Sequence, residues 1–385
     1  MSFTRIGFPK HIRETCFLWG PRQTGKSTLL KTLFPKAQRY DLLLANEYQR
    51  LLLRPEIIRE ECASLGILGS NQKAPIVIDE IQKLPILLDE VHWMIENWGL
   101  YFILCGSSAR KLKRGHGNLL GGRALRYELH PLVSAEIPDF SLNRALNQGL
   151  LPRHYLSENP ERRLHAYVGD YLREEIFAEA LCRNIQAFSR FLEVAALSNG
   201  EMVQYQNIAM ECGVSAPTVK EYYQILIDTL LGRFLPSYRK KNKRRVIGAS
   251  KFYFFDVGVL ASLTRRKKVE PRTELFGKAF EHFLFLEISA HSDYSGKFYP
   301  LTYWRTASGF EVDFILGDHE IAIEAKATQQ VQEGHLKGLR AFQEEFKPRR
   351  SIVVSLDPNP RKLSSGIEVI PWKVFLSNLW AGKIM

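Results

Sequence analysis

The sequence predicts an α/β fold whose N-terminal part is a parallel sheet covered by helices. Three observations support this prediction: a glycine-rich segment between an apolar run and a helix-like run, a second apolar run that ends in two adjacent carboxylates, and an alternation of apolar and amphipathic runs over residues 1–150. Such alternation is typical of parallel sheets. We expect strands at Cys16–Trp19, Gln38–Leu42, Ile76–Ile78, Tyr101–Cys105 and Leu125–Leu129.

The glycine-rich segment Gly20–Ser27 fits the phosphate-binding pattern G-x-x-x-x-G-K-[ST] at every fixed position. Glycines let the backbone wrap a phosphate, and the N–H groups of the loop and of the following helix face the anion. Lys26 is expected to reach the β- and γ-phosphates of ATP, and Ser27 to place its hydroxyl on Mg²⁺. The residues predicted to bind the nucleotide are Gly20, Pro21, Arg22, Gln23, Thr24, Gly25, Lys26, Ser27, Thr28 and Asp79.

The second apolar run, Ile76–Ile78, leads directly into Asp79 and Glu80. At the end of a buried parallel strand, an Asp can hold Mg²⁺ through its water shell. The neighbouring Glu80 can act as the base that orients the attacking water. The alternative is that Asp79 only caps a helix. Together with Lys26, the pair predicts ATP hydrolysis.

Two further positions are candidates for the ATP site. The strand ending at Cys105 is followed by Ser107 and Ser108, where a polar side chain can orient the water because ligands bind outside the carboxyl ends of such strands. A plain turn is the alternative. Arg123 follows two glycines and is a candidate arginine finger, in cis or on a neighbouring subunit. Arg126 is its rival, and a surface role is the other alternative.

Length and composition bound the class of protein. A chain of 385 residues is long enough for two or three domains, and 45% hydrophobic with 24% charged residues is typical of globular proteins. No apolar run reaches the roughly 18 residues of a membrane helix, and the N-terminus lacks the apolar core of a signal peptide. The five cysteines are scattered, which argues against a zinc site or a disulfide framework. We expect a cytoplasmic protein with no membrane segment.

The net charge of +12 favours an anionic partner, such as nucleic acid or a membrane surface. Eight Lys and Arg residues and no carboxylate lie between Arg233 and Lys251. A cluster of this kind can lie on DNA phosphates, and a solvated loop is the alternative. The predicted DNA-binding residues, which we call the basic stretch, are Arg239, Lys240, Lys241, Lys243, Arg244 and Arg245.

Helical patterns fill the middle of the chain, first over residues 155–187. Three more helical segments follow, Phe188–Ser198, Gln204–Cys212 and Val219–Leu231, with Ser215 as a natural N-cap for the last of them. A short helix, a glycine turn and a capped second helix form the helix-turn-helix plan. Many such domains contact only proteins. In a DNA reader, the exposed face of the second helix would carry Thr218, Lys220, Glu221 and Gln224.

A second chemical constellation lies near the C-terminus. Asp313 falls on the predicted strand Glu311–Leu316. Glu324 falls on the predicted strand Ile321–Ala325, and Lys326 follows that strand directly. Residues two apart on a strand share a face, so a hairpin brings the three side chains together. Two carboxylates suit Mg²⁺, which would activate a phosphodiester and a water, and Lys326 would stabilise developing charge. Glu281 can complete the site.

Two alternatives remain for this constellation. One is an ordinary hairpin with Glu and Lys on its wet face, and the other is a nuclease-like fold that binds without cutting. Glu281 belongs to a predicted helix, Leu275–Ala290, and a further helix is predicted at Val331–Lys347. The remaining predicted strands are Lys251–Asp256, Leu301–Trp304 and Ser351–Leu356.

The order of these elements resembles the PD-(D/E)xK nuclease core, with Val312 in place of the proline. The whole chain resembles the prokaryotic AAA-type ATPases that carry a C-terminal domain related to these nucleases. The stretches that carry this resemblance, besides the glycine-rich segment and the two strands above, are Val77–Gln82, Gly106–Ser108, Gly121–Arg123, Phe254–Gly258, Gly277–Glu281 and Tyr303–Arg305.

The resemblance implies a P-loop NTPase core with a helical lid, a winged helix-turn-helix and a restriction-endonuclease-like domain. The corresponding division is 1–154, 155–187, 188–250 and 251–385. It also implies metal-dependent cleavage with Mg²⁺ or Mn²⁺, branched DNA such as a Holliday junction as the target, and a homo-oligomer that can be a ring. The alternatives are an ATP-gated regulatory switch with an inactive nuclease fold, and a chaperone-like or toxin–antitoxin ATPase.

Overall fold

The computed structural model describes residues 3–67, 69–108, 110, 112, 120–172, 184–240, 244–266 and 268–385. The chain divides into two compact units. The N-terminal unit comprises Thr4–Pro131 and Ile225–Leu230, and the C-terminal unit comprises Leu132–Gln224 and Leu231–Met385, together with Phe3. The four-part division of the chain stays a prediction, because compactness separates only these two units.

A parallel sheet of five strands forms the centre of the N-terminal unit. The strands are β1 (Cys16–Trp19), β2 (Arg39–Asp41), β3 (Ile76–Asp79), β4 (Phe102–Gly106) and β5 (Leu125–Glu128). They lie in the order β2-β3-β4-β1-β5. The parallel α/β prediction is confirmed, and each strand agrees with its predicted bounds to within about one residue. The helices of this unit are α1 (Lys26–Leu33), α2 (Ala45–Leu53), α3 (Ile57–Ser64) and α4 (Leu87–Trp98).

Both faces of this sheet are buried, which explains why its strands read as continuous apolar runs. Successive side chains point to opposite faces, so Phe17 and Leu104 enter one apolar cluster while Leu18 and Ile103 enter another. The carboxyl ends of β1, β3 and β4 therefore lie side by side, with β4 between the other two. This arrangement positions the candidate ATP site.

The first part of the C-terminal unit is helical. Its helices are α5 (Leu142–Gln148), α6 (Pro152–Tyr155), α7 (Pro160–Ala166), α8 (Ile185–Leu197), α9 (Tyr205–Cys212) and α10 (Ala216–Asp228), whose last residues belong to the N-terminal unit. A π-type turn covers Tyr167–Leu172. The helical prediction for 155–187 holds for α7 and the first residues of α8, while residues 173–183 lie outside the described residues.

The three helices predicted after residue 188 are present as α8, α9 and α10. Ser215 Oγ accepts a hydrogen bond from the Thr218 N–H at 3.3 Å, as the predicted N-cap requires. An antiparallel pair of strands follows, β6 (Gly232–Leu235) and β7 (Lys251–Phe254), and Met202 forms an isolated bridge to Lys251. The basic stretch therefore lies between β6 and β7. Its assignment to a winged helix stays a prediction.

A mixed sheet of six strands follows, with the order β12-β13-β11-β10-β9-β8. Its strands are β8 (Leu301–Arg305), β9 (Glu311–Leu316), β10 (Ile321–Lys326), β11 (Arg350–Ser355), β12 (Arg361–Lys362) and β13 (Glu368–Pro371). The helices are α11 (Val257–Leu263), α12 (Glu274–Tyr294), α13 (Lys337–Phe346) and α14 (Trp372–Trp380). Neighbouring strands β8, β9 and β10 are antiparallel, whereas β10, β11 and β13 are parallel.

The predicted helix at Val331–Lys347 is wrong in its first part. Glu333–Leu336 forms a 3₁₀ turn and α13 begins only at Lys337. The helix approaches β9 closely at Gly338, where a Cβ would lie 1.7 Å from the carbonyl oxygen of Glu311. The apolar pattern therefore predicted that this segment packs on the sheet, but it did not predict the residue at which the α-helix begins. The elements β12, β13 and α14 were not predicted from the sequence.

In the described part of the chain, no helix combines the length and apolar character needed to cross a membrane. The cysteines found there, Cys16, Cys62, Cys105 and Cys212, are free and buried.

Candidate functional site

The loop between β1 and α1 has the backbone geometry that the glycine pattern predicts. A Cβ on Gly20 would lie 2.5 Å from the carbonyl oxygen of Leu129, so only glycine fits there. Gly25 has φ 92° and stands at the N-cap of α1, in the left-handed region that other residues rarely adopt. The N-terminus of α1 is thereby turned towards the mouth of the loop, as an anion site requires.

Lys26 is held by the loop itself. Its Nζ donates to the carbonyl oxygens of Gly20 at 2.6 Å and Pro21 at 3.1 Å, and the side chain is buried. Thr24 Oγ1 closes the same turn by donating to Pro21 at 2.8 Å. Neutral carbonyl groups rather than a carboxylate therefore hold the ammonium, which leaves its full positive charge for a phosphate in the loop.

Ser27 and Asp79, distant in sequence, meet at the ends of α1 and β3. Ser27 Oγ donates to Asp79 Oδ2 at 2.6 Å, and Asp79 Oδ1 accepts from the Glu80 N–H at 3.1 Å. A hydroxyl and a carboxylate oxygen are ligands that Mg²⁺ prefers beside a nucleotide. These two residues therefore fit the predicted magnesium ion of a bound ATP.

Glu80 belongs to a buried hydrogen-bond network that crosses from β3 to β4. Gln82 Nε2 donates to Glu80 Oε2 and, at 3.1 Å, to Ser107 Oγ, which lies 3.3 Å from the same Glu80 oxygen. Gly106 makes room for the amide, because a Cβ there would lie 2.4 Å from Gln82 Oε1. The structure thus joins the predicted Glu80 and Ser107. Sequence reasoning missed Gln82, whose only signal was its place two residues after Glu80.

The predicted arginine finger, Arg123, makes an ion pair with Glu96 on α4, and both side chains are exposed. Its rival Arg126 is exposed on β5. A buried arginine that sequence reasoning missed lies closer to the strand ends: Arg110 Nη1 is 3.2 Å from Asp228 Oδ2, and its N–H donates to Ser108 Oγ at 3.2 Å. Arg110 therefore ties the segment after β4 to the end of α10 within the N-terminal unit.

In the C-terminal unit, the hairpin of β9 and β10 brings the predicted residues together. Phe314 pairs with Ile323, so Asp313 and Glu324 occupy the next positions along the hairpin. Asp313 Oδ2 accepts from the Ala325 N–H at 2.8 Å, and Lys326 Nζ lies 2.6 Å from Glu324 Oε1. The strand periodicity that predicted a shared site is reproduced in these contacts.

The carboxylates of Asp313 and Glu324 are both buried, and this burial shifts their pKa values. Burial, with the adjacent Glu324 charge, raises the pKa of Asp313 well above its ordinary value. Burial also raises the pKa of Glu324, partly offset by Lys326. Burial lowers the pKa of Lys326, but the charges of Glu324 and Asp313 outweigh this effect and hold it above its ordinary value. The lysine is therefore a permanent cation beside the two acids.

The predicted Glu281 lies on α12 and is joined to β7. Tyr253 donates its hydroxyl to Glu281 Oε1 at 2.5 Å, and Lys251 Nζ lies 3.4 Å from the same oxygen. Lys251 Nζ is also 2.6 Å from Glu311 Oε1, and Arg305 Nη1 is 2.9 Å from Glu311 Oε2. Lys251, Tyr253, Arg305 and Glu311 were not predicted. We call these groups, with Asp313, Glu324 and Lys326, the acid–lysine cluster.

Only part of this cluster is free to bind a metal. Glu324 Oε2 is buried and has no hydrogen-bond partner among the described residues, so it is an available oxygen ligand. Lys326 and Lys251 already occupy oxygens of Glu324, Glu281 and Glu311. Among the residues that the structure describes, no group of three or more His, Cys, Asp or Glu side chains is arranged to hold a metal ion. A metal ion here stays a prediction.

The basic stretch makes contacts that its sequence did not predict. Lys240 pairs with Asp318, and Arg244 lies 2.7 Å from Glu344 and 3.0 Å from Glu345. Arg239 donates to the Gly248 carbonyl oxygen, and Arg245 is exposed. Lys241 and Lys243 lie outside the described residues. Asp318, Glu344 and Glu345 thus neutralise part of the positive charge of the basic stretch, which was expected to face DNA.

Comparison with known proteins agrees with the N-terminal site. Residues 13–137 match the family model of an AAA domain, residues 139–270 that of a domain of unknown function (DUF8612), and residues 276–375 that of a domain of unknown function (DUF4143). No characterised protein matches the sequence significantly. The AAA match and the loop geometry show that the N-terminal part is a P-loop ATPase domain of the AAA type.

Three solved structures match the chain at low identity and with TM-scores below 0.5. The Walker-type ATPase PABY2304 of Pyrococcus abyssi is 13% identical, with TM-score 0.42 over 65% of this chain and 91% of its own. The Aeropyrum pernix ORC1 protein, solved in complex with DNA, is 12% identical with TM-score 0.25 over 66% and 86%. The STAND protein PH0952 of Pyrococcus horikoshii, with a tetratricopeptide repeat sensor, is 15% identical with TM-score 0.22 over 74% and 46%.

Proposed function

We propose that the protein is an ATP-hydrolysing, DNA-binding enzyme whose C-terminal unit cleaves DNA phosphodiesters with a divalent metal. The observation that carries the proposal is the placement of Asp313, Glu324 and Lys326 on adjacent strands of one hairpin, in a chain that also contains an AAA ATPase domain. Buried acids beside a lysine, joined by contacts between neighbouring strands, suit phosphodiester hydrolysis better than a purely structural hairpin.

On the ATP side, each residue has a role that follows from its contacts. Lys26 would neutralise the β- and γ-phosphates, while Ser27 and Asp79 would hold the magnesium ion that comes with the nucleotide. Glu80 accepts the proton of the attacking water, and Ser107 and Gln82 hold the carboxylate in place. Arg123 would then complete the site of a neighbouring subunit in a homo-oligomer, which can be a ring, because its partner Glu96 is exposed and easily given up.

On the nuclease side, Asp313 and Glu324 would hold Mg²⁺ or Mn²⁺, with Glu281 as a further acid. The metal ion would supply Lewis acidity at the phosphodiester and a water of lowered pKa. Lys326 would stabilise the developing negative charge, because it remains protonated. Lys251 and Arg305 would neutralise Glu281 and Glu311 and so keep the site folded before a metal enters.

DNA binding is proposed for α9, α10 and the segment between β6 and β7, which follow the order of a winged helix. Lys220, Glu221 and Gln224 are exposed on α10, while Thr218 is half-buried. In the basic stretch, Arg245 is exposed, whereas Lys240 and Arg244 must leave their carboxylates to reach a phosphate. Branched or otherwise structured DNA is proposed as the target on the resemblance to nucleases of this class.

The decisive experiment is cleavage of labelled duplex, single-stranded and four-way-junction DNA with Mg²⁺ or Mn²⁺, with and without ATP. The Glu324→Ala/Lys326→Ala variant serves as the comparison and should lose cleavage while keeping ATP turnover. Junction-selective cutting that disappears in this variant supports the proposal. Cutting that is unchanged in the variant places the nuclease elsewhere.

A separate measurement tests the DNA contacts. Neutralising Lys240, Lys241, Arg244 and Arg245 together should weaken DNA binding and flatten its dependence on salt, because fewer counterions are released. An unaltered salt slope would reject the basic stretch as the DNA site. Neutralising two exposed lysines, Lys337 at the start of α13 and Lys347 just after its end, provides a control that removes half as many positive charges.

The second candidate function is an ATP-gated regulatory switch whose nuclease fold is inactive. It is favoured by the lysines that already occupy the carboxylates of the acid–lysine cluster. DNA binding without cutting in any metal would support this candidate. Absence of DNA binding even at low salt would instead favour a chaperone-like or toxin–antitoxin ATPase.

A further inference from the structure

A cavity of about 420 Å³ lies in the C-terminal unit where α5, α7 and the end of α11 meet. Its polar lining comprises Asn147, Gln148, Glu161, His165, Ser262, Arg265, Arg266 and Lys268. All the lining residues fall within residues 139–270, the segment that matches the domain of unknown function DUF8612. Neither the ATPase nor the proposed nuclease uses any of them.

The wall of this cavity is fixed by buried hydrogen bonds. Asn147 Oδ1 accepts from the Val269 N–H at 2.7 Å, and its Nδ2 donates to the Val269 carbonyl oxygen at 3.2 Å. The buried Asp256 accepts from the N–H groups of Leu150 at 2.6 Å and Val259 at 2.9 Å. These contacts join the end of α5 to both ends of α11, so the cavity is formed before any ligand arrives.

The charges around the cavity are unbalanced. Arg266 is half-buried, and burial lowers the pKa of its guanidinium with no carboxylate of the described chain acting against it. Arg265 and Lys268 are exposed at the rim, where Glu161 is the one acid among the lining residues. Burying a cation without an acid costs free energy, and a bound anion would offset this cost.

A second polar group also lacks a partner. Gln148 Oε1 is buried and accepts no hydrogen bond in the described part of the chain. A buried acceptor of this kind is costly unless a ligand donates to it. This oxygen is shielded from solvent, so a ligand reaches it only when the Gln148 side chain turns into the cavity. The cavity itself offers the Arg266 guanidinium to an anion, while Leu164 and Val269 supply apolar contact.

We propose that this cavity binds a phosphate monoester of about the size of a mononucleotide. The phosphate pairs with the Arg266 guanidinium, whose planar fork matches phosphate oxygens, and Arg265 and Lys268 add charge at the rim. Gln148 turns its Oε1 into the cavity and accepts a hydrogen bond from the organic part of the ligand. The volume fits a single small ligand rather than a bare phosphate ion. The ligand is either a free nucleotide or the 5′-phosphorylated end of a nucleic acid strand.

The test is a calorimetric titration of the full chain carrying Lys26→Ala, which silences the P-loop, with AMP, adenosine and a 5′-phosphorylated single-stranded oligonucleotide. We expect saturable binding of the phosphorylated probes but not of adenosine. Tighter binding of AMP assigns the site to a free nucleotide. Oligonucleotide binding that is tighter than AMP binding and is weakened by Arg266→Gln assigns it to a strand end, because binding at the basic stretch does not depend on Arg266. In the same background, Arg266→Gln should weaken binding at least about tenfold, which is the scale of a charged hydrogen bond. Arg162→Gln, an exposed arginine of α7 outside the lining, should not change it.

A folding control keeps this test decisive. Since Arg266→Gln removes an unbalanced, half-buried charge, the ligand-free variant should have a Tm equal to or above that of its parent. AMP should raise the Tm of the parent and not that of the variant. Gln148→Ala is the second variant and should also weaken AMP binding. Equal AMP affinity of parent and Arg266→Gln, or no saturable binding of any phosphorylated probe, overturns the proposal.

Discussion

The candidate ATP site and the acid–lysine cluster both hold lysines among buried polar groups, but they assemble them differently. The phosphate loop is a run of consecutive residues from Gly20 to Ser27, and backbone carbonyls hold its lysine. The acid–lysine cluster takes its groups from β7, α12, β8, β9 and β10, and carboxylates hold its lysines. The first site depends on local conformation, whereas the second exists only when several elements pack.

This difference predicts different consequences of losing a lysine. The Lys26 ammonium has no acid to neutralise in the loop, so its removal should affect the nucleotide far more than the fold. Lys251 is buried and pairs with two half-buried carboxylates, so its removal leaves Glu281 with only the Tyr253 hydroxyl and Glu311 with only Arg305. Function should therefore fail first in the N-terminal site and stability first in the C-terminal one.

The largest expected effect is on ATP turnover in Lys26→Ala. Loss of the ammonium removes charge stabilisation of the transferred phosphoryl group, and we expect turnover to fall by more than about 10³-fold. Unfolding free energy should fall by no more than about 1–2 kcal/mol, because only two hydrogen bonds to carbonyls are lost. Steady-state hydrolysis and urea unfolding measure the two quantities, with the exposed Lys31→Ala on α1 as control. Retained hydrolysis would remove the loop from the catalytic site.

The next effect separates binding from chemistry within the same site. Glu80→Gln keeps the shape of the side chain and its contacts with Gln82 and Ser107 but removes the base, so turnover should fall by about 10²–10⁴-fold with little change in ATP affinity. Single-turnover hydrolysis and nucleotide titration provide the measurements. An equal loss in Asp89→Asn, on α4, would show that the effect is not specific to this base.

The third effect tests the opposite site. Lys251→Met should lower the unfolding free energy by about 3–5 kcal/mol, because it removes the buried partner of two ion pairs and leaves Glu281 without a cation, while Glu311 keeps Arg305. Lys278→Met, an exposed lysine paired with Glu201, should cost less than about 1 kcal/mol. Urea unfolding compares the two variants. If both lysines cost the same small amount, the cluster does not depend on Lys251, and the contrast with the ATP site fails.

The smallest effect concerns a buried acid outside both sites. Glu287 accepts hydrogen bonds from the Ser134 N–H, the Ser134 hydroxyl and Trp380 Nε1, yet burial raises its pKa to about 7. The folded state thus binds the proton more tightly than the unfolded chain does. The resulting stability is complete below pH 4.5 and is lost as the pH rises through 7, by about 3 kcal/mol in all.

Glu287→Gln cannot titrate and should remove this loss. We expect the unfolding free energy of the variant, relative to the native sequence, to rise by about 3 kcal/mol between pH 4.5 and pH 8. Urea unfolding at several pH values measures the difference. Parallel pH profiles would show that another group titrates, and Glu320→Gln on the surface serves as the matched control.

Sequence periodicity predicted much of both sites. Short sequence spacings predicted three features. These are the β1–loop–α1 unit, the position of Asp79 and Glu80 at a strand end, and the shared face of Asp313, Glu324 and Lys326. The contacts of Arg244 did not follow. A run of basic residues has no periodicity that indicates its partners. The acids that pair with Arg244, Glu344 and Glu345, lie about a hundred residues further along the chain.

The sequence by itself determined the five strands of the parallel sheet and the local geometry of the phosphate loop, because glycine, strand and helix preferences act over a few neighbouring residues. Only the tertiary structure decided that Gln82 bridges Glu80 to Ser107, that Lys251 lies between Glu281 and Glu311, and that no carboxylate of the described residues pairs with Arg266. Charge pairing in a folded core depends on which surfaces pack together. That information is distributed over the whole chain, and no short stretch of it carries the pairing.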